Sequence, residues 1–141
     1  MRRTTKLLLM VPALWASLFD ILITIVLQPK AYWNGDLSAG NEGNPIGSFF
    51  MKNHISGIFV ISIFWLVLIG LLGYYLPRQL AKIFLMFVLI AHSYGASTWL
   101  SNKFGFWYAM AFILFNSILF SLIGDIVGKG VQSQKEVSES K

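Results

Sequence analysis

The chain has no cysteine, only two histidines and few charges; Asp, Glu, Lys and Arg together supply 12% of its 141 residues. Without cysteine there is no disulfide framework, no thiolate metal site and no thiol nucleophile. A Ser/His/Asp spacing motif, a glycine-rich phosphate loop and an HExxH signature are all absent, which removes the commonest routes to acyl transfer, phosphoryl transfer and zinc-dependent hydrolysis. The shortage of charge also excludes an ordinary soluble domain. Hydrophobic residues make up 56% of the chain and the mean hydropathy is +0.67, whereas soluble domains carry about 25% charged residues. A formal charge of +5 does not point to nucleic acid, because the basic residues cluster at the ends of apolar runs, where orientation in a membrane accounts for them.

What is present is a set of four apolar runs, Leu7–Gln28, Ile55–Leu76, Leu80–Leu100 and Phe104–Val127. At about 1.5 Å per residue each can cross a bilayer. The expected fold class is therefore all-α: a polytopic membrane protein with four transmembrane helices in one domain over residues 1–128, followed by a disordered polar tail at 129–141. Arg2, Arg3 and Lys6 ahead of the first run resemble a signal peptide, but the run is too long and contains Asp20 and Thr24, so a retained signal anchor is expected. With the N-terminus in the cytoplasm, Arg2, Arg3, Lys6, Arg78, Lys82, Lys129, Lys135 and Lys141 fall inside, against Lys30, Lys52 and Lys103 outside. The expected location is the cell membrane, multi-pass, with both termini cytoplasmic. Small residues suited to close packing form lines at Ala91, Gly95, Thr98 and Asn102 in span three and at Ser117, Ser121, Gly124 and Gly128 in span four. Span two lacks such a line and is expected to face lipid most.

Asp20 is the only charged side chain in the first run. A carboxylate at a membrane centre costs roughly 2.5–3.5 kcal/mol on insertion scales, so it must face protein, water or a partner. Ala13, Ser17, Asp20 and Thr24 recur at helical spacing and form one small, polar stripe. Counting back from the outer ends of their runs puts Asp20 and His92 at the same depth, ~11–12 Å below the outer surface. A carboxylate and an imidazole at one level of a small bundle favour each other as an ion pair or an Asp–His hydrogen bond.

The longest connection, Pro29–His54, is too aromatic for disorder and contains Glu42-Gly43-Asn44-Pro45. Asn is a favoured N-cap and Pro is pre-set for the first helical position, which predicts a short interfacial helix over Pro45–Lys52. Glu42 then stands just ahead of a helix N-terminus, a position its charge favours. Asp20, His92 and Glu42 are the candidate ligand set, for a divalent metal held through imidazole and carboxylate or for a substrate group, with Thr24, Asn44 and Asn116 in support. For each there is a plain structural alternative: Asp20–His92 as a clasp between spans, Glu42 as a solvated cap, Asn116 as a bridge between helices, Thr24 bonded to its own backbone.

Asp20-x-x-x-Thr24 followed by Glu42-x-Asn44-Pro45 resembles a family of small prokaryotic four-span membrane proteins that share an Asp and a Thr one turn apart and then Glu-x-Asn-Pro. The resemblance covers Leu18–Phe50. The connection here is longer than usual for that family, and His92 lies outside its pattern. The family carries no assigned activity, so the resemblance implies the architecture and a joint role for Asp20, Thr24, Glu42, Asn44 and Pro45, without naming a reaction. Three functions follow as expectations. One is a polar site near the outer leaflet, holding a metal or acting on a lipid-like substrate; the second is a small proton-coupled transporter; the third is an accessory or assembly protein without catalysis. The expected partners are the lipid bilayer and either further copies of the chain or another membrane protein, not nucleic acid.

Overall fold

The computed structural model describes residues 3–139, and no strand occurs among them. Arg2 and Lys141, counted above on the inner side, lie outside the described residues. The helices are α1 (Arg3–Val26), α2 (Lys30–Trp33), α3 (Pro45–Asn53), α4 (Gly57–Tyr75), α5 (Arg78–Phe104) and α6 (Phe106–Glu139), with one 3₁₀ turn at Leu37–Ala39. Four of them, α1, α4, α5 and α6, are long and apolar enough to cross a membrane. Large apolar side chains such as Leu22, Ile63, Phe87 and Leu114 are half or more exposed on the outside of the bundle. That pattern belongs to helices whose outer surface meets hydrocarbon. The protein is a four-helix, multi-pass integral membrane protein.

The stripe on α1 faces inward: Ala13, Ser17 and Thr24 are buried. It is covered chiefly by α5, with α4 and α6 on either side. At one end Met10, Ala13, Ile69, Leu85 and Val88 form a core, and at the other Ala96, Leu100, Ala109 and Phe112 form a second. The end that holds the start of α1 is fixed by Lys6, whose ammonium donates to the Tyr74 carbonyl at 2.6 Å.

The connection between α1 and α4 is ordered by its own small core of Tyr32, Met51 and Ile58. Tyr32 is fully buried and its hydroxyl donates to the Ile55 carbonyl at 3.1 Å. The Gln28 side chain clasps the backbone of Asn41, donating to its carbonyl at 2.7 Å and accepting from its N–H at 2.9 Å. The expected interfacial helix forms as α3: Asn44 caps it by accepting from the Ile46 N–H at 3.0 Å. The corner into α4 needs Gly57, where a Cβ would collide with the Phe50 carbonyl oxygen.

Several expectations are corrected. The turn between spans three and four is not Ser101-Asn102-Lys103, because α5 runs on to Phe104; the break is Gly105 alone, at φ +106°, a conformation other residues rarely adopt. The tail is not disordered at its start, since α6 carries a helical backbone to Glu139. The small-residue line on α6 does not pack: Ser117, Ser121, Gly124 and Gly128 are exposed, and the buried positions are Ala109, Phe112, Asn116 and Val127. On α5 the inward small residues are Ala81, Ala96 and Ser97, with Gly95 beside Asp20, whereas Ala91, Thr98 and Asn102 face out. Span two is not the most exposed either, since 22% of its apolar stretch is buried against 17% of that in α6.

Candidate functional site

Asp20 and His92 meet. The His92 ring nitrogen Nδ1 lies 2.8 Å from Asp20 Oδ2, and both side chains are mostly buried between α1 and α5. The other ring nitrogen, Nε2, accepts from the Trp65 indole N–H at 2.6 Å. An indole N–H can only donate, so Nε2 is an acceptor and the ring proton sits on Nδ1. His92 is thus a neutral imidazole that donates to the Asp20 carboxylate, and of the two forms expected, ion pair and hydrogen bond, the contact is the hydrogen bond. The chain Trp65–His92–Asp20 joins α4, α5 and α1 across the bundle.

The carboxylate has room because α5 carries a glycine opposite it. A Cβ at Gly95 would come within 2.7 Å of Asp20 Oδ2 and 2.9 Å of Oδ1. Gly95 therefore serves the site by close approach, and no other residue type fits without moving the acid.

Beside the pair lies a cavity of about 140 Å³, lined by Asp20, Thr24, Glu42, Asn44, Ser62, Trp65 and His92 and by apolar side chains that include Ile21, Ile46, Ile61 and Phe64. The connection supplies one wall. Glu42 Oε1 accepts from the Asn44 N–H at 2.7 Å, and the stem of the side chain lies against Gly47, where a Cβ would meet Cγ at 2.9 Å. Burial pushes the Glu42 carboxyl above its ordinary range; the Asn44 N–H opposes this and the Asp20 carboxylate adds to it. Two acids from separate elements thus share one cavity. Asp36, elsewhere in the connection, behaves oppositely: hydrogen bonding to Ser38 pulls its carboxyl down.

Of the expected site residues, Asp20, Thr24, Glu42, Asn44 and His92 come together, and Asn116 does not. Its Nδ2 donates to Ser93 Oγ at 2.9 Å on the seam between α5 and α6, the helix-bridging alternative. His54 stays at the surface with Ser56, 2.7 Å away. Thr24 lines the cavity. The set fits a metal poorly as it stands. Both nitrogens of His92 are engaged, and among the described residues no three His, Asp or Glu side chains are grouped to hold an ion.

Trp65 and Gly47 were missed by sequence reasoning, whereas counting residues from the span ends puts Ser62 at the depth of Asp20 and His92. Trp65 had a usable signal: an indole N–H inside an apolar span needs an acceptor, and His92 offers one at the same level. Ser62 sits one turn before Trp65, and its hydroxyl donates to its own helix at the Ile58 carbonyl. Gly47 carries no signal until the position of Glu42 is known.

No protein-family model, no curated protein and no solved structure matches the chain.

Proposed function

We propose that the protein binds a lipid-like molecule by its head, holding a cationic or hydrogen-bond-donating group between Asp20 and Glu42. The observation that carries this reading is the cavity with two acids and a neutral imidazole on its wall. A clasp between helices needs no space beside it. The two carboxyl groups on that wall, once ionised, are acceptors only, and acceptors select donors. At about 140 Å³ the cavity is smaller than the roughly 300–1,000 Å³ of a site that encloses a whole drug-sized ligand. It accommodates a head group, while the apolar remainder lies along Phe64 and Ile46, which are 58% and 57% exposed at its rim. Trp65 contributes an aromatic wall, which favours a cation further.

On this reading the chain is a further member of the small four-span family that it resembles, and Asp20, Thr24, Glu42, Asn44 and Pro45 act together. The test is titration with decylammonium and with decanol in neutral detergent. The expected result is a preference of about tenfold for the ammonium, of the size that one charge-assisted hydrogen bond provides. Asp20→Asn and Glu42→Gln should each reduce it, and the double variant should remove it. Equal binding of amine and alcohol by the wild type would sink the reading. Metal content of the purified protein, wild type against Asp20→Ala, tests the divalent-metal alternative.

One observation favours a second reading, a small proton-coupled transporter: the raised Glu42 carboxyl titrates closer to neutral pH than an ordinary glutamate. Proton-linked flux in vesicles that disappears with Glu42→Gln would select it.

A further inference from the structure

We infer that the groove between α1, α5 and α6, at the end of the bundle opposite the Asp20 cavity, binds an anionic phospholipid, with its phosphate on Arg78 and Lys82 and an acyl chain along the apolar wall. The groove measures about 370 Å³, within the roughly 300–1,000 Å³ of ligand sites. Arg78 and Lys82 stand one turn apart on the first turns of α5, and both contribute to its lining. No acidic side chain is part of that lining. Asp125 follows the wall residue Gly124 on α6 but is not part of the wall, and Lys129 lies one turn beyond it. The nearest cation on α1, Lys6, is engaged by the Tyr74 carbonyl. Among the described residues the one close contact between a basic side chain and a carboxylate is the His92–Asp20 hydrogen bond, so Arg78 and Lys82 pair with no carboxylate there.

The rest of the wall decides which anion fits. Leu9, Leu85, Leu89, Phe120 and Ile123 give an inorganic ion nothing to contact, so the occupant must be amphipathic as well as negative. A zwitterionic head would bring its own ammonium against two cations with no acid to receive it. Basic pockets between membrane helices suit anionic head groups for these reasons, each Lys or Arg adding attraction near the surface. The inference is independent of what occupies the Asp20 cavity.

The experiment is native mass spectrometry of the full chain in neutral detergent, with equimolar phosphatidylglycerol and phosphatidylcholine of identical acyl chains. The wild type is expected to retain phosphatidylglycerol with about tenfold preference, the order that two cations supply. Arg78→Gln with Lys82→Gln should bring this below about twofold, whereas Lys30→Gln with Lys103→Gln, cations elsewhere on the chain, should leave it unchanged. Gly124→Trp, at a wall position where an added Cβ meets nothing within 4 Å, should fill the groove and reduce retention. Excess inorganic phosphate should not displace the lipid. Equal retention of the two lipids by the wild type, an unchanged preference in the Arg78/Lys82 double variant, or displacement by phosphate overturns the inference.

Discussion

Among the described residues Asp20 has one side-chain hydrogen-bond partner, His92, and that partner is itself held by Trp65. Removing either end of such a chain strands the other. Asp20→Ala and His92→Ala should each destabilise the protein in detergent by about 1–3 kcal/mol, with the double variant less than additive. Strict additivity in that cycle would mean that the two side chains act independently. Trp65→Phe should shift the balance of His92 tautomers, because Nε2 loses its donor; nitrogen chemical shifts of the imidazole report it. Glu42 gives a pH dependence with a definite sign. Its folded-state carboxyl is raised above the reference value of 4.5, so the folded protein holds this proton more tightly than the unfolded chain does. The associated stabilisation is complete below 4.5 and is lost as pH rises through the higher, folded value. Glu42→Gln should therefore gain stability on the wild type as pH rises above the ordinary carboxylate range, and thermal melts across that range measure the gain. Binding of a cation should follow the opposite course and strengthen as Glu42 ionises.

Among the elements, three glycines carry the geometry for three different reasons. Gly57→Ala drives a Cβ into the Phe50 carbonyl, which is backbone and cannot swing aside, so the corner between α3 and α4 should lose more than about 2 kcal/mol. Gly95→Ala meets the flexible Asp20 carboxylate instead; the fold should survive and the contact to His92 should not. Comparing melting with amine binding in the two variants separates the cases. Gly105→Ala is strained by its positive φ rather than by crowding, since nothing lies within 4 Å of the added Cβ. Much of this layer was legible beforehand. The N-cap and first-turn proline of α3 are written as Asn44-Pro45, and the stripe on α1 is written as spacing. The inward faces of α5 and α6 were not legible from small residues, because in this bundle Val88, Leu100 and Phe112 supply much of the contact and several glycines face outward.

For the whole molecule, the four spans were readable because length and hydropathy decide them almost alone. The site was readable in part. Depth along a helix placed Asp20 and His92 at one level, but the third member of the chain, Trp65, lies on the span that lacks a polar stripe. The orientation expected from basic residues puts the Pro29–His54 connection outside and both termini inside. A chain without cysteine allows a direct check: single cysteines at Asn41 and Gln132, both exposed, probed with an impermeant reagent on intact cells. Labelling should occur at position 41 and not at 132; the reverse would invert the orientation and place the Asp20 cavity toward the cytoplasm.

The partners Asp20 and His92 are separated by 72 positions in the chain, and that separation matters during synthesis. The first helix leaves the ribosome with its acid long before the third span exists to receive it. Until then Asp20 must remain near water or beside the insertion machinery, at a penalty of roughly 2.5–3.5 kcal/mol if it enters the lipid alone. Chains truncated after Tyr75 should accordingly insert their first helix less completely than the full chain, and Asp20→Asn should abolish the difference. Cell-free insertion with a reporter on the connection would show whether α5 secures α1 in the membrane after the fact.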